Sequence, residues 1–208
     1  MARRRGSLAA DHEYKRDAML DRVTAYLIAA QPEKPSLRDL AAAASVSVPT
    51  IKHYFASRDE LIIAVMTRLC RLGDPYLAQV ADTDEPFAQS VISLVDFVLS
   101  GLIDAKVIDF HCITLREAGG SPFLGPRYLA LLFEPLLAAI EHRLRRHIER
   151  GEMVCHDVRI AALMVLSPVF IAALHQRSLS GAQITPLSRE LLVAEIAQSF
   201  TRAYQGPQ

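Results

Sequence analysis

Between Ser36 and Arg58 the chain carries a close set of side chains suited to a polyanion. Thr50, Lys52, His53 and Tyr54 supply a hydroxyl, an ammonium, an imidazole and a phenol almost side by side. All of these can donate hydrogen bonds to phosphate oxygens or base edges. Ser36 and Ser47, each at a predicted helix start, add hydroxyls, and Arg38 and Arg58 add guanidinium groups. Other reactive residue types occur without a pattern that makes chemistry. Histidine stands at 12, 53, 111, 142, 147, 156 and 175, but no HExxH, P-loop, GxGxxG or Gly-x-Ser-x-Gly occurs. His142 and His147 are five apart, a poor fit to a helical i, i+4 ligand pair, and Cys155 and His156 are adjacent. No catalytic residue, metal site or cofactor is expected. A small helical enzyme and a metal-sensing regulator are lesser readings. Cys70, Cys112 and Cys155 are odd in number and widely spaced, which fits a reduced cytoplasmic chain better than a disulfide framework.

The polar set needs two short helices to position it. Ser36 can N-cap the first, with Asp39 at the box position three residues on. Leu37, Leu40 and Ala41 recur at helical spacing, and Ala42 to Ala44 keep the helix slim. Ser45-Val46-Ser47 breaks the run, with Val46 pointing inward. Ser47 caps the next helix, and Pro49 falls in its first turn, where a missing N–H costs nothing. Ile51 and Phe55 are four apart and share a core face, which leaves Thr50, Lys52, His53 and Tyr54 on the others. Ser57-Arg58-Asp59-Glu60 is a second capping box opening a further helix. Two short helices across a tight turn, the second with polar, cationic and aromatic tips, make a helix-turn-helix pattern. An ordinary helical hairpin with a solvated face fits the same spacing.

The order of residues adds to this. VPTIKHYFASRDEL resembles the DNA-binding signature of the tetracycline-repressor (TetR) family of bacterial regulators. Thr50, Ile51, Phe55, Ser57, Arg58, Asp59, Glu60 and Leu61 match it. The family often has an aromatic where this chain has Lys52, and His where it has Tyr54. It usually has Gly where this chain has Ser45, so this turn must form without a glycine. The resemblance is close over the first third of the chain and architectural beyond it.

Formal net charge is zero over 208 residues, but the distribution is uneven. Residues 1–72 hold 12 Lys+Arg against 8 Asp+Glu, and residues 73–208 hold 11 against 15. A basic first third is what a phosphate-facing module would show. Residues 1–12 read as a flexible basic arm, with Arg3, Arg4 and Arg5 either entering a minor groove or acting as a solubilising tail. The basic N-terminus lacks the apolar run of a secretory signal. Residues 13–73 read as the DNA-binding domain. Its first helix runs from Tyr14 to Gln31, stopped by Pro32 and Pro35, and the helix from Ser57 is stopped by Gly73-Asp74-Pro75.

Residues 74–208 read as a larger helical domain. Asp82 to Pro86 is turn-rich, a plausible hinge. Helices follow from Phe87, over Ile108 to Ala118, from Tyr128 to Arg150 with a kink at Pro135, over Asp157 to Leu179, and over Arg189 to Tyr204. Gly119 to Pro122, Gly151 and Gly181 are the breaks. Arg143, Arg145, Arg146 and Arg150 cluster near a helix C-terminus, where the dipole favours cations, and read as a solvated face. The fold class is all-α, about nine helices, without strand-like alternation. The apolar run Ile160 to Leu174 is 15 residues, short for a membrane span. It is apolar on more than one face and so must be covered on more than one side. A homodimer through the last two helices would cover it, and the TetR resemblance implies the same arrangement. The resemblance further implies a palindromic double-stranded DNA operator, release by an effector, and an effector pocket between Phe87 and about Arg150. Its candidates here are Phe110, His111, Arg116, Tyr128, Phe170 and His175, and the aromatic bias suggests a lipophilic or aromatic ligand. A helical adaptor without specific DNA binding is the rival reading.

Overall fold

The computed structural model describes residues 5–30, 34–119 and 121–206, with side chains from residue 11 onward. Arg3, Arg4, Pro32, Gly120 and the side chain of Arg5 lie outside the described residues, and so does the groove or tail role read for the three arginines; residues 5–12 of the expected arm are helical. Among the described residues the regular structure is helical, with one isolated bridge between Met153 and Gln205. The chain forms two compact units. One comprises the chain up to Leu72 together with Ile113–Tyr128, and the other Gly73–Cys112 together with the chain from Leu129 onward.

In the first unit, α1 (Arg5–Ala30) precedes α2 (Leu37–Ala43), α3 (Val48–Phe55) and the start of α4 (Arg58–Ala81). Helix α1 begins well before Tyr14. Ala9 and Ala10 favour helix, and Lys15 bonds Asp11 one turn back at 2.7 Å. Its stripe of Met19, Leu20, Val23 and Leu27 is buried. Helix α2 ends in a six-residue capping turn: Val46 N–H donates to Ala41 O at 3.0 Å and Ser45 N–H to Ala42 O at 2.9 Å. The turn needs a left-handed residue, and Ser45 takes it at φ 58°.

Pro75 does not stop α4, which continues to Ala81. Tertiary packing outweighs the lost hydrogen bond. The Tyr76 ring stacks on Phe97 with centroids 4.6 Å apart, its hydroxyl donates to Phe97 O at 3.3 Å, and Val80 is fully buried. Gly101 makes room, because a Cβ there would lie 2.5 Å from the Tyr76 oxygen.

The second unit holds α5 (Phe87–Ile103), the start of α6 (Val107–Gly119), α8 (Glu134–Glu149), α9 (Val158–Ala173), α10 (Gly181–Ile184) and α11 (Arg189–Tyr204); the short α7 (Leu124–Tyr128) belongs to the first. Helices α5, α8, α9 and α11 pack together over a core that includes Leu94, Val98, Leu137, Ile140, Val165 and Phe200. The long helix expected from Tyr128 is interrupted. Leu129–Phe133 forms a π turn before Pro135, which cannot donate to the carbonyl one turn back. A second π turn, Leu174–Ser178, follows α9, and Gly181 opens the short α10 instead of ending the segment.

The arginine cluster at the end of α8 is a solvated face only in part: Arg145 and Arg150 are exposed, Arg146 is half-buried and Arg143 is not solvated. Arg143 is buried and donates to Ser90 Oγ at 2.9 Å, Ser93 Oγ at 2.9 Å, Val80 O at 3.2 Å and Glu85 at 3.3 Å. Arg146 pairs with Asp82 and Asp84, and Arg150 donates to Glu85 O at 3.0 Å. The turn from Asp82 to Pro86 is therefore held to α8 rather than free. His147, fully buried, lies 2.8 Å from Ser90 Oγ and 2.6 Å from Glu152, and burial lowers its pKa.

Candidate nucleic-acid interface

Local sequence builds the reading head. Ser47 Oγ accepts from Thr50 N–H at 3.2 Å and lies 2.8 Å from Thr50 Oγ1, so the two hydroxyls are joined at the start of α3. Ser36 caps α2 by accepting from Asp39 N–H at 3.2 Å. In return the Ser36 hydroxyl and N–H donate to Asp39 Oδ2 at 2.7 and 2.8 Å, which holds that carboxyl below its ordinary pKa. Ile51 and Phe55 are buried, which fixes which way α3 faces. Lys52 and His53 are then exposed, Thr50 and Tyr54 half-buried, and Ser36, Arg38 and Ser47 exposed. A hollow of about 470 Å³ runs beside α3, lined by Arg16, Lys52, His53, Tyr54 and Glu60 among others.

Long-range ties orient the two short helices. Arg22 on α1 donates to Ala44 O, at the end of α2, at 3.0 Å. Arg68 on α4 bonds Asp17 at 2.6 Å and Asp21 at 2.7 Å on α1. Arg58, expected to meet phosphate, is engaged inside the unit. Its Nε donates to Pro35 O at 2.6 Å, and one terminal nitrogen donates to both oxygens of Glu117 at 2.7 Å. Glu117, on α6, is buried, so Arg58 joins the start of α4 to α6 through a charge-assisted pair and to Pro35, the residue before the α2 cap. Nothing local to residue 58 signals a partner 59 positions away.

The sequence reading also passes over His12, which a helix starting at Tyr14 leaves in the arm. Its ring stacks on Tyr54 with centroids 4.5 Å apart. Its signal is weak: it stands four residues before Arg16, whose guanidinium lies over Phe55 at 5.3 Å.

Of the effector candidates, His111 and Phe170 meet edge-on at 5.3 Å, and Phe133 joins Phe170 at 6.1 Å. His111 is buried, which lowers its pKa to about 4 and keeps it neutral at pH 7. Phe110 is buried beside it in sequence. Arg116 and Tyr128 belong to the first unit, Arg116 exposed and Tyr128 buried. His175 is exposed on the second π turn, with Nδ1 2.8 Å from Gln176. A cleft of about 430 Å³ that the sequence does not announce opens in the second unit, lined by Leu99, Ile103, Asp104, Arg177, Arg189 and Leu192 among others.

Comparison with known proteins agrees with this architecture. Residues 32–65 match the model of bacterial regulatory proteins of the tetR family, and residues 89–206 match the C-terminal domain of AefR-like transcriptional repressors. No curated protein matches in sequence. Solved structures do match in fold. A Mesorhizobium loti protein described as a TetR-family transcriptional regulator is 18% identical with a TM-score of 0.74, the match covering 93% of this chain and 98% of that one. The flavonoid-responsive regulator FrrA is 20% identical with a TM-score of 0.68 over 93% and 98% of the two chains. The regulator PfmR from Thermus thermophilus is 19% identical with a TM-score of 0.63 over 88% and 97%. With the second family model spanning more than half of its length, the chain belongs to the TetR family of DNA-binding transcriptional regulators.

Proposed function

We propose that this regulator is a cytoplasmic, ligand-released repressor that binds a palindromic operator as a homodimer. The observation that carries the reading is α3. Burial of Ile51 and Phe55 leaves Lys52, His53, Thr50 and Tyr54 on the faces turned away from the core. In this reading Lys52 meets phosphate, and Thr50, His53 and Tyr54 face the groove or its walls. Ser36, Arg38 and Ser47 contact the backbone beside the helix starts. Arg58 acts at one remove, by holding the head in place. The DNA-binding domain covers about residues 13–73, and the effector and dimerisation domain residues 74–208.

The dimer reading rests on α9 and α11. Helix α9 buries Ala161, Ala162, Val165, Leu166 and Val169 in its own core, yet leaves Ile160, Met164 and Ile171 more than half exposed. By length and composition Val158–Ser178 would also suffice for a membrane span, longer than the run counted in the sequence. A groove of about 350 Å³ between Met164 and Pro168 of α9 and Ile196 and Tyr204 of α11 continues the apolar face, which a second copy would fill. Two reading heads about 34 Å apart would then meet successive major grooves. For the effector, the His111, Phe133 and Phe170 rings support a lipophilic or aromatic ligand, in keeping with the flavonoid response named for FrrA.

The test is selection of bound duplexes from a random pool at a stated salt near physiological. An enriched palindrome is expected. Lys52→Ala should then weaken binding to it and lower the salt slope by about one. No enrichment, with binding lost at modest salt, would leave a helical adaptor instead.

A further inference from the structure

Exposed rings on α1 and α3 form a group of their own. His12 stacks on Tyr54 with planes 23° apart and meets His53 edge-on at 6.2 Å. His53 and Tyr54 are themselves edge-on at 5.4 Å. His12 and His53 are exposed and Tyr54 is half-buried, so core packing does not account for the trio. Helix α3 has eight residues, and its buried anchors are Ile51 and Phe55. A tyrosine near the end of so short a helix would sample several rotamers, and ordering it on DNA would cost affinity. A ring stacked on it removes that cost.

We propose that His12 is a positioning residue for DNA recognition: its ring fixes Tyr54 in place and adds an imidazole beside Lys52 and His53 to the surface that meets phosphate. The proposal rests on α3 being the DNA-contacting helix. The charged and titratable groups around the trio are Asp11, Glu13, Lys15 and Arg16 on α1, Lys52 on α3 and Glu60 on α4. Asp11 and Lys15 pair with each other at 2.7 Å.

The experiment is the Kd for the selected duplex at pH 8 and fixed salt, for wild type, His12→Ala, His12→Phe and Lys52→Ala. His12→Ala is expected to weaken binding about 3- to 10-fold at pH 8, the scale of one aromatic pair. His12→Phe should recover most of that loss by restoring the stack. Wild-type affinity in both His12 variants would overturn the proposal, and loss of affinity in Lys52→Ala would show that the DNA reading still stands. His12→Phe as weak as His12→Ala would overturn the positioning role. A wild-type protein that enriches no duplex would overturn both readings together.

Discussion

Helices α3 and α9 each bury one face and leave side chains exposed on another, but the two open faces differ in kind. Helix α3 packs Ile51 and Phe55 inward and shows an ammonium, an imidazole and hydroxyls. Helix α9 packs alanine and valine inward and shows Ile160, Met164 and Ile171. A solvated polar face has little to gain from a second protein surface and much from a polyanion whose counterions it can release. An exposed apolar face is the reverse: water penalises it, and an identical face on a second chain relieves the penalty on both. The difference is what supports the proposed roles, DNA binding for the α3 face and self-association for the α9 face.

The largest effect should come from inverting the α9 face. Met164→Glu with Ile171→Glu places like charges opposite one another across a twofold contact. Both positions are exposed in the single chain, so folding should survive. Sedimentation should move from twice the 23.0 kDa chain mass to the chain mass itself. Operator affinity should drop by about 100-fold or more as one half-site is lost. A variant that still sediments at twice the chain mass would break the comparison at its apolar end.

Next in size is the tie that sets the pose of the reading head. Arg58→Ala would leave the carboxylate of Glu117, only 4% exposed, without its cation. The expected loss is about 3 kcal/mol in urea unfolding, with Glu117→Gln milder than Arg58→Ala. The sharper outcome is in DNA binding, where loss of Arg58 should leave the salt slope unchanged while loss of Lys52 lowers it. A slope reduced by Arg58→Ala would return that residue to the phosphate contacts.

This pair also shows where sequence reading stops. The caps at Ser36, Ser47 and Ser57 and the pair Ile51 and Phe55 are legible because their partners stand three or four residues away, within one helical turn. The last helix, Arg189–Tyr204, is bounded by its own signals in the same way. Arg58 and Glu117, Arg143 with Ser90 and Val80, and His12 with Tyr54 lie 42 to 63 positions apart, and no local spacing encodes such meetings. Proline misleads for the same reason: Pro75 reads as a stop until the half-buried Tyr76 and the buried Val80 beyond it are known. The effector candidates rest on residue type rather than on spacing, so they scatter over both units, with His111 and Phe170 in contact.

His111 gives a pH test of the second unit that the first should not share. Burial lowers its pKa to about 4, so the folded chain favours the neutral ring. An unfolded imidazole titrates near 6.5. Between those values the unfolded state binds more protons, so stability falls as pH falls. The contribution is present above about pH 6.5 and is lost as pH drops through about 4, with a full span of roughly 3 kcal/mol. Urea midpoints from pH 7 to 4 should decline less steeply in His111→Leu than in wild type. His147, lowered in the same direction by its own burial, keeps part of the slope in the variant.

The smallest expected effect compares two turns of one geometry. After α8, Gly151 N–H donates to Ile148 O at 3.0 Å and Glu152 N–H to His147 O at 2.9 Å, with Gly151 at φ 73°. After α2 the same two bonds form around Ser45 at φ 58°. Glycine adopts that conformation freely, and a residue with a Cβ does so at a cost of about 1 kcal/mol. The head therefore carries a strain that the α8 corner avoids. Ser45→Gly should relieve it and raise stability by about 0.5–1 kcal/mol in urea unfolding, partly offset by the added freedom of glycine in the unfolded chain. Ser45 is exposed and its N–H keeps the same acceptor in either variant, so no other contact should change. A loss of stability would mean that the unfolded-state cost exceeds the strain, and that this turn is held well enough by Val46 and the Arg22 bond to Ala44 O to need no glycine.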